Sequence, residues 1–131
     1  MTTPLTVAES SKYTSTSRYD DVVAFLKTVV PRSPFMRLDT IGYTVEKRAM
    51  PLVIVGRLQD FSPAGVRASG KTVVYVQGNI HGGEVEGKEA VQMLLRDLLP
   101  PSADRADLRS ETPTGFARAV FEENRPTEAA A

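Results

Sequence analysis

The residues best equipped for chemistry sit between a β-branched run and a helix-like run: Gly78-Asn79-Ile80-His81-Gly82-Gly83-Glu84, followed by Glu86, Gly87, Lys88 and Glu89. Three chemistries fit parts of this segment. Gly82-x-x-x-x-Gly87-Lys88 has the spacing of a phosphate loop. Its next residue, however, is Glu89 where a magnesium-binding hydroxyl is needed, and Glu84 and Glu86 would place carboxylates in the phosphate cradle. His81-Gly82-Gly83 after a strand has the form of an oxyanion loop, but the nucleophile elbow and the downstream histidine base that such a site needs do not follow. His81-x-x-Glu84 pairs an imidazole with a carboxylate, both good zinc ligands, at a junction where both can converge on one ion. Gly82 and Gly83 are expected to permit sharp backbone geometry there. The plainer reading has His81 as an ordinary loop residue and Glu84, Glu86 and Glu89 as acids complementing a helix dipole. In that reading Glu89 is solvated, and Lys88 and Arg96 are surface cations. Spacing by itself leaves the metal and the plain reading open.

The elements that must position this segment are legible from periodicity. Thr72 to Gln77, Thr-Val-Val-Tyr-Val-Gln, is β-branched and apolar on both faces, which predicts a buried central strand. Val85 to Leu99 predicts a helix with Val91, Leu94, Leu95 and Leu98 on its buried face, stopped by Pro100-Pro101. Upstream, Tyr19, Val22, Val23, Leu26, Val29 and Val30 recur at helical spacing. Ser17 and Asp20 resemble a capping box for that helix, and Pro31 and Pro34 end it. Phe35 to Val45 and Pro51 to Val55 read as two strands of an antiparallel hairpin. Phe61 to Gly70 reads as a loop. Residues 1–16, rich in Thr and Ser, are expected to be flexible. Residues 17–101 form the folded α/β part, and 102–131 are expected to be a mostly disordered tail with too little apolar surface to offset chain entropy.

Composition narrows the function classes. The chain has 131 residues, no net charge, 41% hydrophobic and 24% charged residues, which suits one domain at most. Balanced charge removes the electrostatic footprint of a general nucleic-acid binder. With no cysteine, disulfide scaffolds, Cys-rich zinc fingers and thiol nucleophiles are excluded. With one histidine, a three-His metal site cannot be built from one copy. Met1 to Lys12 lacks the features of an export signal, and no run reaches the roughly 18–20 apolar residues of a membrane span. A soluble chain without a membrane partner is expected.

The run Val74-Tyr75-Val76-Gln77-Gly78-Asn79-Ile80-His81-Gly82-Gly83-Glu84-Val85-Glu86-Gly87-Lys88-Glu89-Ala90 resembles the first zinc motif of the M14 zinc carboxypeptidases. Ile41 to Arg48 with Leu52 to Val55 is similar to that family's N-terminal hairpin, and the helix starting near Ser17 is similar to its first helix. The resemblance covers roughly residues 13–99. It implies the N-terminal part of an α/β sandwich around a mixed, mostly parallel sheet, here about three strands and two helices. It implies Zn2+ as cofactor, with His81 and Glu84 as ligands, and hydrolysis of C-terminal peptide bonds by a zinc-activated water. The family's third ligand is another His and its base another Glu, both far downstream, so no catalytic residue is assigned here. The chain is therefore expected to be a truncated, inactive portion. Many peptidases of the family carry Arg immediately before the zinc-binding Glu. Gly83 stands there instead, which leaves room for a zinc deacylase of N-acyl amino acids, of the succinylglutamate desuccinylase and aspartoacylase kind. A non-catalytic fragment is the further alternative. Partners are thus a peptide or acyl-amino-acid substrate for the intact family, and self-association through an exposed sheet edge.

Overall fold

A computed structural model describes residues 4–99. The expectations for 102–131 lie outside the described residues. The helix expected from near Ser17 forms where the apolar spacing puts it, as α2 (Tyr19–Val29), and runs into a 3₁₀ turn, Val30–Arg32, where Pro31 occupies an early helical position that needs no N–H donor. Its cap differs from the expected Ser17 and Asp20. The backbone N–H of Arg18 donates to the Asp21 carboxylate at 2.8 Å, and Ser17 is engaged elsewhere.

The hairpin follows as β1 (Met36–Tyr43) and β2 (Ala49–Val55), antiparallel, with Met36 opposite Val55 and Leu38 opposite Val53. Ile41 is the extra residue of an irregularity between Thr40 and Gly42. Period-two alternation puts Met36, Leu38 and Val53 on the face that packs against α2. The core they join consists of Phe25, Leu26, Val29 and Val30 from α2 and its turn, with Leu95 and Leu99 from the last helix. Tyr19 ties α2 to the sheet, its hydroxyl donating to the Ala49 carbonyl at 2.9 Å.

Three expectations are corrected. Thr72 to Gln77 has no regular secondary structure and belongs to no sheet; the only sheet among the described residues is the two-stranded hairpin. Val73 to Val76 are between 55% and 78% exposed. An apolar, β-branched run expresses a preference for burial, but a strand exists only where a neighbour completes the ladder, and β1 and β2 pair only with each other. Within 1–16, residues Val7–Ser10 form α1, capped reciprocally: the Glu9 N–H donates to Thr6 Oγ1 at 3.2 Å, and the Thr6 N–H donates to Glu9 Oε2 at 2.9 Å. Within the expected loop 61–70, Pro63–Ala68 forms α3, whose N-cap Ser62 accepts from the Gly65 N–H at 3.1 Å. Among the described residues the architecture is a mixed α/β unit with four α-helices and two strands, consistent with part of a zinc-carboxypeptidase fold. Among the described residues no helix is long and apolar enough to cross a membrane.

Candidate functional site

The last helix, α4 (Val85–Asp97), starts directly after the glycine-rich segment. Two features hold that segment against it. Gly78 packs on the helix backbone: a Cβ built there would lie 2.6 Å from the Gly87 carbonyl carbon. Asn79 takes the left-handed conformation, at φ 62°, which Asn tolerates better than most residues. The glycines at 82 and 83, expected to be needed for backbone geometry, are not: neither has a left-handed φ, and a Cβ at either meets open space. The turn they form closes by the Glu84 N–H donating to the His81 carbonyl at 3.0 Å. Gly78→Ala should therefore displace the loop, at a cost of about 1–3 kcal/mol typical of forced overpacking, whereas Gly83→Ala should be near neutral. Chemical denaturation of the two variants checks this; equal stabilities would contradict the close approach.

The turn brings the two sequence-selected residues together. His81 Nδ1 lies 2.9 Å from Glu84 Oε1, and the two side chains are 77% and 64% exposed. An ion with ordinary Zn–N and Zn–O bonds in tetrahedral geometry separates two such ligand atoms by about 3.4 Å. A side-chain adjustment of a few tenths of an ångström therefore admits one, and both groups are open to solvent. Among the described residues no group of three or more His, Asp or Glu converges as a metal site. His81 and Glu84 thus fit zinc as two donors and leave the other positions open.

Behind the pair, α4 departs from its expected orientation. Its buried residues are Glu89, Gln92, Leu95, Arg96 and, just beyond it, Leu99, while Leu94 and Leu98 are half exposed. The polar face is buried because the N-terminal segment supplies most of its partners, Gln92 Oε1 being left without one. Glu89 Oε1 accepts from the Ser17 N–H at 2.6 Å and the Thr16 hydroxyl at 2.7 Å, and Oε2 accepts from the Ser17 hydroxyl at 3.1 Å. Gln92 Nε2 donates to the same hydroxyl at 3.3 Å, and Lys88 Nζ donates to the Ser17 carbonyl. Arg96 Nη1 lies 2.6 Å from both Glu9 carboxylate oxygens. Glu89 and Arg96, read as a solvated acid and a surface cation, are therefore buried and paired. Lys88, engaged with a carbonyl, makes no phosphate site. Sequence reasoning missed Thr6, Glu9 and Thr16 as well. Thr6-x-x-Glu9 carries the S/T-x-x-E signature of a helix start, a signal that was there to be read.

Burial raises the Glu89 carboxyl pKa, but the Ser17 N–H, the Thr16 and Ser17 hydroxyls and the Lys88 ammonium outweigh it and hold it below the usual value. A carboxylate whose pKa is lower folded than unfolded stabilises the fold above the unfolded value, about 4.3 for Glu. That contribution is lost as pH falls through the lowered folded value. The stability difference between the natural chain and Glu89→Gln should accordingly shrink on acidification below about pH 4.3. Urea unfolding across that range measures it, and a pH-independent difference would contradict it.

A surface hollow of about 250 Å³, lined by Leu5, Thr6, Ser17, Phe25 and Gln92 among others, includes no residue of the 78–84 loop. The chemistry of the donors, not concavity, marks the candidate site.

A family model described as zinc carboxypeptidase matches residues 22–110, about two thirds of the chain. The match takes in most of α2, the hairpin, the His81–Glu84 turn and α4. It runs past residue 99, where the resemblance was expected to end, and it begins at 22 rather than 13. No curated protein and no solved structure matches.

Proposed function

The chain belongs to the zinc carboxypeptidase family, and from that premise we propose that His81 and Glu84 are two of the ligands of a hydrolytic zinc centre directed at C-terminal peptide bonds. The observation that carries this reading is the convergence of the two side chains, 2.9 Å apart on an exposed turn. Zinc, when bound, polarises the scissile carbonyl and acidifies water. The chain's own residues contribute less than a complete centre. His81 presents Nδ1, Glu84 presents Oε1, and the Gly78–Gly87 contact keeps the turn seated at the start of α4. His81 is the only histidine among the 131 residues, so these residues alone cannot supply a second imidazole. Glu89 is turned inward against Ser17, so it is not placed to take a proton from water at the pair; Glu86 is exposed on α4.

The zinc-loaded chain by itself is therefore inactive in our reading. Absence of a general base alone costs about 10²–10⁴-fold in rate, and among the described residues no third His, Asp or Glu joins the pair. An assay on C-terminal peptide substrates, with N-acyl amino acids as a second arm for the deacylase alternative that Gly83 leaves open, tests this. Background rates in both arms are expected. Turnover removed by a chelator or by His81→Ala would overturn the inactive reading.

A further inference from the structure

Helix α4 carries two competing faces. One is apolar: Val91, Leu94, Leu95 and Leu98. The other is largely polar: Glu89, Gln92 and Arg96, with Leu95 and Leu99. Their centres differ by about one residue's rotation, roughly 100°. Hydrophobic burial alone favours the first face, yet the second is the one buried, and Leu94 and Leu98 are left half exposed.

What reverses the preference is the segment Thr6–Ser17. It satisfies Glu89 with three donors and Arg96 with one carboxylate, it meets Gln92 with the Ser17 hydroxyl, and it accepts from Lys88. Buried polar groups left without these partners would each cost about 1–3 kcal/mol, more where charged, so the bonds select one rotation of the helix. Glu84 is the N-cap of α4 and Gly78 packs on Gly87 in its first turn, so the rotation of the helix decides how the His81–Glu84 turn is seated. The segment also lies wholly before residue 22, where the family match begins.

We propose that Thr6–Ser17 is a strap that sets the rotation of α4, and that Glu89, its central anchor, is a positioning residue for the His81–Glu84 pair. The part concerning metal rests on the zinc reading above. Glu89 touches neither side chain of the pair; it acts through the helix.

The test uses the full chain and the imidazole resonances of His81, which is the only histidine and so reports unambiguously. Those resonances, and the affinity for Zn2+ alone, are measured in the natural chain, in Glu89→Ala, in Glu89→Gln, and in Glu86→Gln as a control on an exposed acid nearer the pair. Far-UV circular dichroism establishes that each variant is folded; if Glu89→Ala is not, Glu89→Gln and Ser17→Ala carry the comparison. Expected are displaced His81 resonances and zinc binding weakened about tenfold in Glu89→Ala, the lower end of the range for residues that orient metal ligands. Glu89→Gln, which keeps an acceptor for the Ser17 N–H, should recover part of both, and Glu86→Gln should move neither. Loss of stability alone, with unchanged resonances and affinity in folded variants, would overturn the proposal and leave the zinc reading standing. A natural chain that binds no zinc would sink the zinc reading, while the His81 resonances would still decide whether the strap positions the pair.

Discussion

Arg96→Ala should destabilise the folded unit by about 3–5 kcal/mol, the usual consequence of removing one partner from a buried ion pair. Arg96 is 6% and Glu9 14% exposed at the side chain, and one Nη1 reaches both carboxylate oxygens at 2.6 Å. Without the guanidinium, Glu9 keeps the Thr6 N–H as a donor to its carboxylate, in a site closed to most water. A unit of this size commonly has about 5–15 kcal/mol of total stability, so the variant should lose the strap and much of its cooperativity at ambient temperature. The double variant Glu9→Gln with Arg96→Met should be far milder. It removes both charges, keeps the acceptor for Thr6 and fills the space with an unbranched side chain. Urea denaturation of Glu9→Gln, Arg96→Met and the double variant measures the coupling, with Arg96→Ala measured alongside. A loss below about 1 kcal/mol in Arg96→Ala would place the pair among ordinary surface ion pairs and contradict the burial of α4's polar face.

The same pair shows where sequence reasoning reached and where it stopped. Elements whose pattern is self-contained were readable. The three- and four-residue spacing of Val22, Leu26 and Val29 yields α2, the alternation around Leu38 and Leu52 to Val55 yields the hairpin, and Pro100 marks the limit of α4. The convergence of His81 and Glu84 was readable for the same reason, because a three-residue turn is local. What failed depended on partners distant in sequence. Val73 to Val76 has the composition of a central strand, but composition does not supply the neighbouring strand. Leu94 and Leu98 have the spacing of a buried face, but Glu9, Thr16 and Ser17, some 70–90 residues away, bury the polar face instead. Charged side chains such as Glu89 and Arg96 usually stay in solvent; burial of both requires donors and acceptors that no local pattern announces. Phe25, off the expected α2 stripe, was missed because the strap and the core flank the helix on more than one side.

His81→Ala should remove zinc binding altogether, the largest functional effect expected of any single substitution in the chain. The pair offers one imidazole and one carboxylate, and most of the affinity of a biological zinc site comes from its full ligand set. Two protein donors therefore predict an affinity weaker than about micromolar, with water in the remaining positions. Removal of either donor leaves a single exposed side chain, which is no site at all.

The direct measurement is calorimetric titration of the purified full chain with Zn2+, repeated on His81→Ala and Glu84→Ala, with the His81 imidazole resonances followed in parallel. The account predicts weak, one-to-one binding that perturbs His81 and disappears in both variants. Zinc binding of equal strength in the natural chain and in either variant, or saturation without any change at His81, would contradict it.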